Sequence, residues 1–136
     1  MCLRGVSEVE KHLFNKSETP DLRAYVVWVP KLGATENDVP EGTRFFSDRR
    51  GRHYWDEGGS LMAAYKKKLG ISKDAWDVFF VYGPGARWGA EPPTPDFWMH
   101  QLGPAVPAPR LDGEAFARDA LGRLERHPSL GAPANQ

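Results

Sequence analysis

At 136 residues the chain is one domain's worth, with enough apolar side chains for a single core. Its 18 Lys and Arg balance 18 Asp and Glu, which argues against nonspecific nucleic-acid binding, where surplus positive charge must face phosphates. No stretch approaches the ~18 apolar residues of a membrane helix, and residues 1–10 carry Arg4, Glu8 and Glu10 where a signal peptide would be apolar. As given, the chain is expected to be soluble and cytoplasmic, with no nucleic-acid or membrane partner.

The first element reads as a helix, with Leu3, Val6, Val9, Leu13 and Phe14 on one face. Residues 15–21 break it with Asn, Ser, Thr, Pro and Asp. Residues 23–30 follow as the strongest strand, β-branched and aromatic without polar alternation. Such a run predicts a central strand covered on both sides. Residues 31–52 are polar and rich in breakers, with a helical stretch expected within 40–50 that turns Phe45 and Phe46 inward. Residues 52–56 read as a short strand ended by Gly58 and Gly59. Ser60 is expected to cap a helix that carries Leu61, Met62, Tyr65 and Leu69 on one face and Lys66, Lys67 and Lys68 on the other, with Gly70 as its stop.

Residues 76–82 form a second strong strand candidate. Gly83, Pro84 and Gly85 predict a turn, and Arg87 and Trp88 the start of a returning strand. Residues 91–96 hold three prolines and read as loop, and 97–102 as a short apolar segment, either one helical turn or an edge piece. Residues 103–110 read as an extended Pro-rich connector. Asp112 then caps a helix over 114–126, with Phe116, Ala120, Leu121 and Leu124 as its buried stripe. The division is one domain over 1–127 and a flexible tail over 128–136.

The order of these elements resembles the thioredoxin-like fold, in the branch of the redoxins and membrane-tethered thiol reductases. Three stretches carry the resemblance. Cys2, Leu3, Arg4 and Gly5 at a helix start resemble the second cysteine of a Cys-x-x-Cys motif. Residues 25–30 resemble the strand after that helix, and 53–70 the strand, Asp, turn and helix of the redoxin insertion. Residues 25–30, 75–77, 82–89 and 96–102 also look like signatures of a bacterial thioredoxin-like family without an established activity. The resemblance implies an α/β fold, a three-layer α/β/α sandwich around a central mixed sheet.

The chain departs from that family in two ways. The strand before the active-site cysteines and the first cysteine are absent, so the sheet is expected to have a gap beside residues 23–30. Met1 is therefore not expected to be the natural start, and an upstream part would hold the strand and a Cys or selenocysteine three residues before Cys2. Such an extension could also carry an export signal. The family's cis-proline is missing as well, because residues 71–77 contain no Pro.

A single cysteine excludes an internal disulfide. At a helix start, Cys2 would have its thiolate favoured by free N–H groups and the helix dipole, which makes it the candidate catalytic residue. The bland reading is an inert terminal thiol. Trp28 and Pro30, at the carboxyl end of the buried strand, and Trp76 and Asp77 are the candidate substrate-binding residues, although buried aromatics usually serve only the core. The four histidines are scattered, so neither a metal site nor a cofactor is expected. His53 with Asp56, and Asp96 with His100, could pair for acid–base work or simply make capping contacts. The expected partner is a thiol- or disulfide-bearing protein or small molecule. The alternatives are a non-catalytic binding module built on Trp76, Trp88, Phe97 and Trp98, or a fragment with no activity of its own.

Overall fold

The structure, a computed structural model, describes residues 3–127. Among them are helices α1 (Leu3–His12), α2 (Val39–Gly42), α3 (Ser60–Leu69) and α4 (Gly113–Arg126). The strands are β1 (Ala24–Trp28), β2 (Gly51–Trp55), β3 (Val78–Val81) and β4 (Phe97–His100). The parallel pair β1–β2 sets Ala24 opposite Gly51 and Trp28 opposite Trp55. The antiparallel pair β3–β4 sets Val78 opposite His100. The class is mixed α/β, but among the described residues the strands form two separate two-stranded sheets rather than one central sheet.

Two apolar clusters hold the elements together. The first joins Leu13 and Phe14 after α1, Phe46, Met99 of β4, and Phe116, Ala117 and Ala120 of α4, with Val6 and Val9 of α1 packed against them. The second joins Tyr65 of α3 with Ile71, Ala75, Leu102 and Val106. Strand β3 divides its side chains between them: Phe79 and Val81 go to the first, Val78 and Phe80 to the second. That is the period-2 alternation of a strand with helices on both faces. Helix α1 approaches β3 closely because residue 5 is glycine. A β-carbon there would lie 2.2 Å from the Phe79 ring and 2.8 Å from the Gln101 side-chain oxygen.

Strand β1 differs from its expected double cover. Ala24 and Val26 pack on the first cluster, but Tyr25 is 64% exposed and stacks on the exposed Tyr54 of β2. Its opposite face is therefore open at Tyr25, while Val27 on the same face is half-buried. The stretch before β2 folds as expected only in part: α2 is four residues long, Phe46 is fully buried and Phe45 half-buried.

The cap of α3 is Asp56, not Ser60. The Asp56 carboxylate accepts the N–H groups of Leu61 (3.0 Å) and Met62 (2.9 Å) and the Ser60 hydroxyl (3.2 Å). A carboxylate meets both the unpaired amides and the positive end of the helix, which explains how Asp56 can be buried. Gly70 ends α3 in the left-handed conformation, φ 66°, and returns its N–H to the last turn.

The partner strand of β3 is β4, so Arg87 and Trp88 do not start it, and 97–100 is the edge piece of the two alternatives rather than the helical turn. The chain between is a closed loop. The Asp96 N–H donates to the Val81 carbonyl (2.9 Å), the Asp96 carboxylate accepts the Gly83 N–H (2.6 Å), and the Tyr82 hydroxyl donates to the Pro93 carbonyl (2.6 Å). The 103–110 connector is also pinned. Fully buried His100 accepts the Leu102 N–H at Nδ1 (3.0 Å) and donates from Nε2 to the Ala108 carbonyl (2.8 Å). The cap of α4 is Asp112, as expected, through the Ala115 N–H (2.9 Å). Its buried stripe contains Ala117 besides Phe116 and Ala120, while Leu121 and Leu124 pack at the margin.

Candidate functional site

Cys2 and the 128–136 tail lie outside the described residues. Helix α1 is described from Leu3, the residue that follows Cys2 in the chain, so the candidate site is sought around residues 3–6. That stretch lies on β3 through Gly5 and Phe79, beside the side chain of Gln101. The Gln101 N–H donates to the Asp77 carbonyl (2.9 Å), and the Asp77 side chain is buried. The start of β3 and the end of β4 thus tie Asp77 to the first turn of α1.

An open polar depression of about 310 Å³ lies between α1 and the start of α4, lined by Arg4, Glu8, His12, Gln101, Asp112 and Glu114, among others. Helical spacing aligns Arg4, Glu8 and His12 along one side of α1. Glu8 and His12 make a 3.1 Å contact. His12 also covers the start of α4, because a β-carbon on Gly113 would fall 2.3 Å from its ring. In the sequence alone these residues look like an ordinary solvated helix face, and only the packing of α4 beside α1 brings them together.

The other candidate residues occupy different surroundings. Trp28 is buried, its indole N–H donating to Nδ1 of His53 (3.1 Å) with the two rings stacked. His53 Nε2 in turn meets the Phe46 carbonyl (2.9 Å), so His53 serves Trp28 and Phe46 rather than Asp56. Pro30 lies beside Gly59 at the start of α3. Trp76 is half-buried against the second cluster. Between Pro30 and Trp76, Asp74 binds Lys31 (2.9 Å) and Lys66 (3.5 Å). The Lys31 ammonium, followed by Lys66, holds the Asp74 carboxyl below its ordinary range.

A hydrogen-bonded aromatic group sits under the 83–96 loop. The Tyr65 and Tyr82 hydroxyls are 2.7 Å apart and Trp88 packs edge-on against Tyr82. Burial pushes both phenols up, Tyr82 further because Tyr65 and then Asp96 oppose its negative charge. Both hydroxyls are therefore protonated at neutral pH and serve as structural donors.

Among the described residues, no three His, Cys, Asp or Glu side chains come together as a metal ion would require, and no helix is long and apolar enough to cross a membrane. Compared with known proteins, the chain matches no family model, no curated protein and no solved structure.

Proposed function

We propose that this is a thioredoxin-like thiol oxidoreductase whose Cys2 forms a mixed disulfide with a small disulfide of peptide character, such as oxidised glutathione, or with a protein disulfide. The observation that carries this reading is the polar depression beside α1, whose described residues begin at Leu3, next to Cys2 in the chain. Its lining offers Arg4 to a carboxylate and Glu8, Asp112 and Glu114 to an ammonium, the two charges of a zwitterionic peptide. Strand β3 carries side chains from the cluster of α1 and α4 on one face and from the cluster of α3 on the other, the covering that such a fold calls for. It supports the same reading.

In the step proposed, the Cys2 thiolate attacks one sulfur of the disulfide. One S–S bond forms, one breaks, and the electron pair leaves with the second thiolate. The start of a helix favours the thiolate. Asp77, tied to α1 through Gln101, is the candidate to influence the proton on the thiol. Trp28, Pro30 and Trp76 lie in other surroundings and take no part in this step.

The competing reading, a binding module with an aromatic surface, loses support. Trp76 and Trp98 pack on the second cluster and Phe97 on the first, and of that group only Trp88 is largely exposed, at 53%.

Incubation with oxidised glutathione, followed by intact mass, tests the proposal. One glutathionyl adduct is expected on the folded chain, forming at least about tenfold faster than on the same chain in urea, in keeping with a lowered thiol pKa. Cys2→Ser should give none, and Arg4→Glu a slower rate. Asp77→Asn should shift the pH midpoint of the rate. Equal rates for the folded and unfolded chains would remove the thiol reading.

A further inference from the structure

His100 ends β4 in the interior, 1% exposed. Its ring holds the chain that follows. Nδ1 accepts the Leu102 N–H (3.0 Å) and Nε2 meets the Ala108 carbonyl (2.8 Å). A backbone amide only donates and a carbonyl only accepts, so the two bonds together require the neutral ring with its proton on Nε2. The backbone of His100 grips the far end of the same stretch. Its N–H donates to the Pro109 carbonyl (3.1 Å), and its carbonyl accepts the Leu111 N–H (2.8 Å). One residue thus clasps both ends of a strap over 102–111.

The strap joins two walls of the polar depression. Gln101 lines the depression from one end of the strap, and Leu111, Asp112, Gly113 and Glu114 line it from the other. Between those ends, Leu102, Val106 and Ala108 pack into the second cluster with Tyr65, Ile71 and Ala75. The clasp at His100 therefore sets both the closure of that cluster and the spacing of the two walls.

We propose that His100 is a proton-operated latch: acid releases the 102–111 strap from the second cluster and loosens the polar depression at the start of α4. A proton added to this ring goes on Nδ1, where it turns the acceptor of the Leu102 N–H into a donor. Two donors then face each other in a buried site, which is costly. Opening the strap gives the ring water and lets it hold the proton. The open form binds one proton more than the closed form, so closure is favoured at neutral pH and weakens as pH falls. Other titratable groups of the surrounding elements are engaged elsewhere or exposed. The Tyr65 hydroxyl meets Tyr82, Asp74 binds Lys31 and Lys66, Asp112 caps α4, and Arg110 of the strap is exposed. Asp77 is buried beside Val78, the ladder partner of His100, and is the acid that a test must separate from the ring. The latch stands apart from the thiol chemistry of Cys2.

Residue-resolved amide exchange on the full chain, expressed as protection at about pH 7 and about pH 5, tests it. An imidazole released to water titrates at about pH 6.5, so opening gains about 25-fold over that interval. The Leu102 and Leu111 amides should lose protection at least about tenfold, while Ala24 of β1 and Ala120 of α4 keep theirs. Ring nitrogen shifts of His100 should show a proton on Nε2 alone at the higher pH and on both nitrogens at the lower. His100→Gln, which keeps one bond and does not titrate, should show weaker strap protection that is the same at both pH values. Asp77→Asn should leave the fall in place. The inference fails if Leu102 protection in the parent is equal at the two pH values, or if it falls as steeply in His100→Gln. It fails equally if Asp77→Asn abolishes the fall, which would assign the proton to Asp77, or if Ala24 and Ala120 lose protection in parallel, since the whole domain then opens rather than the strap.

Discussion

Arg50 is the side chain with the most to lose. Its guanidinium donates to the carbonyls of Phe14 (2.8 Å), Ser17 (2.7 Å) and Thr19 (2.9 Å), binds the Asp48 carboxylate, and lies over the Phe14 ring. It ties the chain after α1 to the turn before β2, and with it Ala24 to the start of the parallel pair. The Arg50 hydrogen bond lowers the Asp48 carboxyl from 3.8 to about 2. A lowered carboxyl contributes stability above its unfolded value and loses it as pH falls through the folded one. Asp48→Asn should therefore cost on the order of 1 kcal/mol at neutral pH after solvent screening. The gap from the parent should close between pH 3.8 and about 2 in urea midpoints taken across that range. A gap that stayed constant would place the role of Asp48 in shape rather than charge. Arg50→Ala should cost more, about 2–4 kcal/mol, because three carbonyls lose their donor at once.

The elements differ in how far the residues disclose them. Helices α1 and α4 are plain from apolar spacing, and Asp112 from its place before Phe116. Strands β1 and β2 are plain from composition, but the cover of β1 is not, because composition cannot say which neighbours arrive. The partner of β3 differs from the expected one for a physical reason. Gly83, Pro84 and Gly85 do turn the chain, yet closure comes from Asp96 and Pro93, and no local pattern joins them to Gly83 and Tyr82. Of the candidate site, Cys2 and Asp77 are what the residues alone suggest, whereas the Arg4, Glu8 and His12 face emerges only with α4 packed beside it. His100 is the second case of hidden connectivity. It sits at the end of β4 and pins the Pro-rich stretch by two bonds that proline-rich composition gives no reason to expect. His100→Phe should leave the Leu102 N–H and the Ala108 carbonyl without partners and cost about 2–4 kcal/mol. His100→Gln, which can keep one bond, should recover part of that in urea unfolding. Fast amide exchange should appear in 101–110 of the Phe variant first.

At the scale of the molecule, two sheets share one chain without sharing a hydrogen-bonded ladder. What joins them is the first cluster under α1 and the divided side chains of β3. Cooperativity depends on that junction, because a domain unfolds as one unit only when its parts lose more together than apart. Gly5 is the place to test it. A valine there would drive its β-carbon to 2.2 Å from the Phe79 ring, with backbone helix on one side and a packed aromatic on the other. Overpacking of this kind costs about 1–3 kcal/mol, but its larger effect should be on coupling. In Gly5→Val, amide exchange under increasing urea should open β1 and α1 well before β3, β4 and α3, which keep the second cluster intact. In the parent chain the same two groups should open closer together, though not at a single midpoint, since the two sheets share no hydrogen-bonded ladder among the described residues. Coincident opening of both groups in the variant would mean that the clusters are bound by more than the contact of α1 with β3.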